Sequence, residues 1–237
     1  MFRELHRNTA TIFMNISYYW NELRLEQPMN LIMNWLIALA CIICFRKLRG
    51  RSSDIYTRWW SRFFLLMGIS AFFGGLGHLL SFYSAYPLKT ISWCFAAVSI
   101  FSAEMGSIEL FGSEGSNKRI LRVISISKLL LTLVITTLYF SFTIVKWNSA
   151  AGFLGIIMPI HLWYFLKSRD NFSLWVVAGV LSMVGPAIVH GFNLSPHPLF
   201  DKDDLSHVLM IITFFILYTG IRGKTLGTIV PEIHRAS

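Results

Sequence analysis

Seven long, mostly apolar stretches follow one another along this 237-residue chain, at 29–45, 63–83, 88–111, 123–145, 150–166, 174–192 and 205–221. Crossing a hydrocarbon layer of about 30 Å takes roughly 20 residues of helix, and a short span is accommodated by tilt or by basic side chains reaching the interface. Backbone in such a layer finds no water, so an uninterrupted apolar segment of this length must satisfy its own hydrogen bonds as a helix. The chain therefore reads as all-α: a polytopic membrane protein, a seven-transmembrane-helix bundle. Only 14% of its residues are charged and 54% are hydrophobic, against about 25% charged in soluble domains. That is too little polar surface for a water-soluble globule. Disorder is excluded by the same balance, and three cysteines are too few for a disulfide-stapled secreted domain.

The net charge of +9 would suggest nucleic acid in a soluble protein, but in a membrane protein the position of the positives decides its meaning. The first connection carries Arg46, Lys47, Arg49, Arg51, Arg58 and Arg62. The third carries Lys118, Arg119 and Arg122, the fifth Lys167 and Arg169, and the end of the chain Arg222, Lys224 and Arg235. The second and fourth hold only Lys89 and Lys146, and the sixth sets Lys202 among three aspartates. This alternation places the N-terminus outside and the C-terminus in the cytoplasm, as an odd number of spans also requires. It predicts a multi-pass integral membrane protein (in the cell membrane if bacterial) in contact with membrane lipids and with no nucleic-acid partner.

Residues 1–28 lack the uninterrupted apolar core of a cleavable signal peptide. Ile12, Phe13, Ile16, Tyr19, Trp20 and Leu23 recur at helical spacing, which predicts an amphipathic helix in the outer interface, with Pro28 resetting the chain. A structured cap over the bundle is the alternative. Residues 29–222 form the membrane domain and 223–237 a cytoplasmic tail. Asn15-Ile16-Ser17 is an outward-facing glycosylation sequon, meaningful in a eukaryotic source. Cys41 and Cys44 form a CxxC inside an apolar helix, where they read as small packing residues. Gly74-Gly75-Leu76-Gly77 follows no strand and precedes no Lys-Ser/Thr, so it is a packing surface rather than a phosphate loop. Ser70, Gly74 and His78 share one face of that helix.

Ionisable groups within a span cost about 2.5–3.5 kcal/mol each on insertion scales, so each needs a partner or a task. An inner set comprises Glu104, Glu109, Lys128 and His161. Glu104 and Lys128 lie at similar depth on consecutive helices and are expected to form a buried ion pair, with His161 extending it; snorkelling of Lys128 is the alternative. An outer set comprises His78, His190, His197, Asp201, Asp203, Asp204 and His207, together with Glu26, Asn30 and Asn34 at four-residue spacing. Asp203 and His207 are four apart and meet on one helix face.

Histidine and carboxylate converging from several helices is the composition of a hydrolytic zinc site, with three protein ligands and an open position for water. His78, His207 and Asp203 or His190 are the candidate zinc ligands. The alternative is that Asp203 and Asp204 cap the seventh helix, with His207 hydrogen-bonded within that cap.

This arrangement resembles the superfamily of seven-helix membrane hydrolases that includes alkaline ceramidases and the progestin/adiponectin receptors. That family's pattern is Ser-x-x-x-His near the end of the second span, Asp at the start of the third and His-x-x-x-His opening the seventh. The resemblance implies zinc held by three histidines, metal-bound water attacking an amide or ester of a membrane lipid, and the topology deduced above. His78 and His207 match family histidines, and Asp203 stands where the first seventh-span histidine would be. Gly74 occupies the serine position, with Ser70 one turn earlier, and the third span opens with Lys89 and no Asp. Asp203 can still ligate zinc, but the groups that would position the carbonyl or support the water are lost. Asp204 is the candidate general base in their place and Ser70 the candidate catalytic hydroxyl. The resemblance thus implies a divergent ceramidase-like hydrolase or a non-catalytic relative.

Other seven-helix classes lack their residues. No lysine falls within 208–221 for a retinal linkage. The third and seventh spans carry Glu109-Leu110-Phe111 and Leu217-Tyr218-Thr219 where a G-protein-coupled receptor would have Asp/Glu-Arg-Tyr and Asn-Pro-x-x-Tyr. A proton- or ion-coupled transporter stays open, with Pro159 and Pro186 breaking helices and Glu104–Lys128 as gate or relay. So does a structural or lipid-binding membrane protein.

Overall fold

The computed structural model describes residues 17–20, 23–50, 54–112, 114–197 and 200–235. A two-stranded antiparallel hairpin, β1 (Ser17–Trp20) and β2 (Leu23–Glu26), precedes the helices. Then come α1 (Pro28–Arg49), α2 (Ile55–Leu79), α3 (Ser81–Ile108), a 3₁₀ turn (Glu109–Phe111) and α4 (Ser116–Tyr139). They are followed by α5 (Phe142–Gly152), a π-helical turn (Phe153–Ile157), α6 (Met158–Ser168), α7 (Asn171–Ser182), α8 (Val184–Gly191) and α9 (Lys202–Arg235). Because α5, the π turn and α6 run on as one helix, and α7 with α8 as another, seven helices are long and apolar enough to cross a membrane. The π turn has a local cause. Pro159 has no N–H to return to the carbonyl four residues earlier, and the helix widens just before it.

The helices close into a bundle in chain order. α1 packs on α2, α2 on α3, α6 on α7, and α9 returns to lie against α7, α8 and α1, while α4 leans on α3 and α5 from outside. The core is aromatic, with Tyr56, Trp60, Phe63, Phe64, Phe153 and Phe214 buried together. Apolar side chains also cover the outside: Ile32, Leu36, Leu39, Leu131, Leu138 and Leu166 are all exposed. An apolar surface all round a helical bundle is what a lipid-facing protein presents.

Three boundaries differ from the expectation. Tyr19, Trp20 and Leu23 lie in the hairpin and not on a helix, because the run Tyr18-Tyr19-Trp20 favours strand. Ile12, Phe13, Ile16 and the sequon's Asn15 and Ile16 lie outside the described residues. The fourth span is Ser116–Tyr139 rather than 123–145. Its first turns are basic and read as loop, and its end is a left-handed residue, Phe140 (φ 48°), with no Gly or Pro to announce it. The expected tail from 223 continues α9 as helix to Arg235.

At Gly220, α9 comes close to the backbone of α7. A Cβ there would sit 2.9 Å from the Phe172 carbonyl oxygen and 2.9 Å from Trp175 Cβ. Gly220→Val is expected to destabilise the sixth–seventh span contact by about 1–3 kcal/mol, read as a lower melting temperature in detergent. Gly223→Ala, whose Cβ would lie an ordinary 3.4 Å from Phe172 Cβ, should leave the melt unchanged.

Candidate functional site

The second and sixth spans end, and the first, third and seventh begin, at the end of the bundle that carries the hairpin. The start of α9 is built by a reciprocal cap. Asp201 Oδ1 accepts from the backbone N–H of Asp203 (2.8 Å) and Asp204 (3.1 Å), and Asp204 Oδ2 accepts from the N–H of Asp201 (3.1 Å). Of the expected caps, Asp204 takes part, and Asp201 fills the place expected of Asp203. The cap turns Asp204 inward, leaving its Oδ1 buried without a hydrogen-bond partner. One turn on, His207 Nδ1 is buried with no side-chain partner. Asp203 points the other way, its Oδ1 3.7 Å from Nδ1 of His190.

His78 reaches the same end from the last turn of α2, and its Nδ1–H donates to Gln27 Oε1 (2.7 Å). Gln27 is held there by a left-handed backbone (φ 46°) just before Pro28 opens α1. The hairpin is latched alongside: Glu26 accepts from Ser81 Oγ (2.6 Å) and pairs with Arg24 (2.8 Å), whose backbone N–H donates to the Tyr83 hydroxyl (2.7 Å). Lys89 crosses from α3 over Gly77, where any Cβ would stand 2.8 Å from its Cγ. Its ammonium is within electrostatic reach of His78, Glu26 and Asp203, and His78 is within reach of His207 and Asp201 as well.

The structure thus gathers His78, His207, Asp203, Asp204 and His190 at one end. Among the described residues, however, no three His, Cys, Asp or Glu side chains are arranged to hold a metal ion. His78 is engaged by Gln27, and His190 faces Asp203 at 3.7 Å. Ser70 stands apart: its hydroxyl meets Ser92 Oγ (3.3 Å), and Ser92 donates to the Ser70 carbonyl (2.8 Å). It ties the second span to the third. Gln27 and Lys89 were not anticipated as site residues. Gln27 lay outside every span, and Lys89 was read as a loop charge.

Glu104 and Lys128 meet at 2.7 Å, with Glu104 wholly buried. Lys128 also donates to the side-chain and backbone oxygens of Asn148. His161 does not extend this pair. Its ring lies 3.3 Å from both Ser107 Oγ and Ser173 Oγ, ringed by Tyr56, Trp60 and Phe172. Glu109 binds Lys118 and Arg122, each at 2.8 Å, across the third connection.

Residues 29–226 match the model of a family of unknown function (DUF6962). No curated protein and no solved structure matches the chain.

The buried pair gives a sharp stability test. Glu104→Ala leaves the Lys128 ammonium without its counter-charge and is expected to cost about 3–5 kcal/mol, whereas an apolar replacement of both partners should be close to neutral. Thermal unfolding of Glu104→Ala, Lys128→Met and the Glu104→Leu/Lys128→Met double variant checks this. A double variant as unstable as the singles would contradict it.

Proposed function

We propose that this chain, which belongs to that family of unknown function, is an integral membrane protein with its N-terminus outside and C-terminus cytoplasmic. It takes the polar head of a membrane lipid into the cluster at the hairpin end, as a non-catalytic relative of the ceramidase-like hydrolases it resembles. The observation that carries this reading is Lys89, whose stem packs over Gly77 next to His78 and whose ammonium is in electrostatic reach of His78, Glu26 and Asp203. It supplies positive charge where a hydrolase of that resemblance would hold zinc. The cluster also offers a buried acceptor, Asp204 Oδ1, and His207 Nδ1 beside it. Lys89 suits a carbonyl oxygen, and Asp204 suits a hydroxyl or amide N–H. An uncharged lipid bearing both, an N-acyl or ester lipid with free hydroxyls, meets both needs, and the apolar surface around the bundle gives its tails a place to lie.

Binding of fluorescent N-acyl amino-alcohol lipid in nanodiscs tests the reading. Wild-type protein should bind it, and Lys89→Met and Asp204→Asn should each weaken binding about tenfold, the loss of one charge-assisted hydrogen bond. Near-stoichiometric zinc in protein purified without chelators, lost in His78→Ala and His207→Ala and accompanied by fatty-acid release, would overturn it in favour of the zinc hydrolase.

The orientation rests on the basic first, third and fifth connections. In a chain with Cys41, Cys44 and Cys94 replaced by alanine, an impermeant maleimide should label Asn193→Cys on intact cells. Glu114→Cys should react only after permeabilisation. The reverse pattern would invert the topology.

A further inference from the structure

The fourth span is amphipathic in the inverse sense. Ile120, Val123, Ile124, Ile126, Leu130, Leu131, Val134 and Leu138 are exposed, whereas Lys118, Ser125, Thr132 and Thr136 are the residues it buries. The buried set recurs at seven- and four-residue intervals, so it forms one polar stripe along the helix facing α3 and α5. Lys128 lies on the same side and meets Glu104 of α3 at 2.7 Å.

Several polar atoms on this seam have no use in packing. Thr136 Oγ1 and Asn148 Nδ2 are buried with no hydrogen-bond partner, and Ser125 lies beside Glu104. Buried polar atoms of this kind are costly in hydrocarbon unless something passing between the helices satisfies them. Gly152 of α5 lets the Glu104 carboxylate sit close against its helix, since a Cβ there would collide with that carboxylate and Ile100. The helix carrying Gly152 widens into the π turn at the next residue, a distortion frequent at functional positions. At the other end of the stripe, Glu109 and Glu114 hold Lys118 and Arg122 in a four-membered ion network.

We propose that the seam between the third, fourth and fifth spans is a proton path, with Glu104–Lys128 as its relay. A proton moving from the Lys128 ammonium to the Glu104 carboxylate turns the ion pair into a neutral amine and a neutral acid. The acid releases that proton past Ser125 toward the Glu109 end. The amine takes up another from the Thr132–Thr136 side, restoring the pair. Atoms and charge balance over the cycle, and one proton crosses. Passing through a neutral intermediate leaves no uncompensated charge in the low-dielectric seam, which is why a lysine–glutamate pair rather than a lone carboxylate suits the task. The path is separate from the hairpin-end cluster and does not depend on the lipid reading.

The test is proton flux into vesicles of purified full-length protein, with pyranine inside and a potential imposed by potassium and valinomycin. Wild-type vesicles should acidify about tenfold faster than protein-free ones, and Glu104→Gln should return the rate to the protein-free level. Ser125→Ala and Thr136→Val keep near-native shape and charge, so each should slow the flux severalfold with an unchanged melting temperature. They carry the decision if Glu104→Gln fails to reconstitute. Wild-type flux no faster than that of protein-free vesicles would overturn the proposal, and so would Ser125→Ala and Thr136→Val both running at the wild-type rate.

Discussion

The residues that the fourth span buries fully are all polar, and the way it is nevertheless held shapes the whole seam side of the bundle. Between helices in lipid there is no hydrophobic drive, because the tails are as apolar as leucine. A helix that buries Lys118, Ser125, Thr132 and Thr136 gains little from packing and must be held by charge. Glu104–Lys128 holds it at mid-length, and Glu109 with Lys118 and Arg122 holds its first turns. The fourth span is the least buried of the seven, as expected of a helix fastened at points rather than packed along its length. A point-fastened helix can shift locally when a fastening is neutralised.

At the opposite region, local helix formation and the site draw on the same residues. The turn that starts α9 uses one oxygen of Asp204 to close the cap with Asp201, and closing it is what fixes the second oxygen in the interior. The carboxylate is thereby held by backbone geometry rather than by another side chain. Asp203, adjacent in sequence, is rotated out toward His190. Capping and a site role are compatible on the residue types alone. The structure shows that one motif both caps the helix and sets the buried Asp204 oxygen, with Asp201 as the residue that makes this possible.

Apolar length carried most of the fold in the sequence, since lipid demands helices and a span of about 20 residues has one reading. It failed where polarity belongs to the interior. The basic first turns of α4 count against a span on any hydropathy argument, and only Glu109 and Glu114 opposite them make the helix tolerable. The Glu104–Lys128 pairing was legible because two opposite charges on adjacent helices have few other options at that depth. Ser70 was not, because its partner Ser92 is one of many serines and carries no charge to mark it. The hairpin was masked by a spacing that fits a helix as well as a strand, with Tyr18, Tyr19 and Trp20 as the only contrary signal.

The third span unites these observations. It is the most buried of the seven and lies against the second, fourth and fifth spans. Its polar groups are sorted by neighbour. Ser92 bonds the second span at Ser70, Ser99 donates to the Phe63 carbonyl of the same helix, Glu104 faces the fourth, and Ser107 meets His161 of the fifth. Lys89, near its start, enters the hairpin-end cluster. Each neighbour is thus engaged by a hydrogen bond or charge, which in lipid gives the specificity that shape and small residues alone supply only weakly. The two polar regions lie apart along this helix, with Lys89 near its start and Glu104 near its end, and the aromatic cluster of Trp60, Phe63, Phe64 and Phe153 is part of the core it packs against.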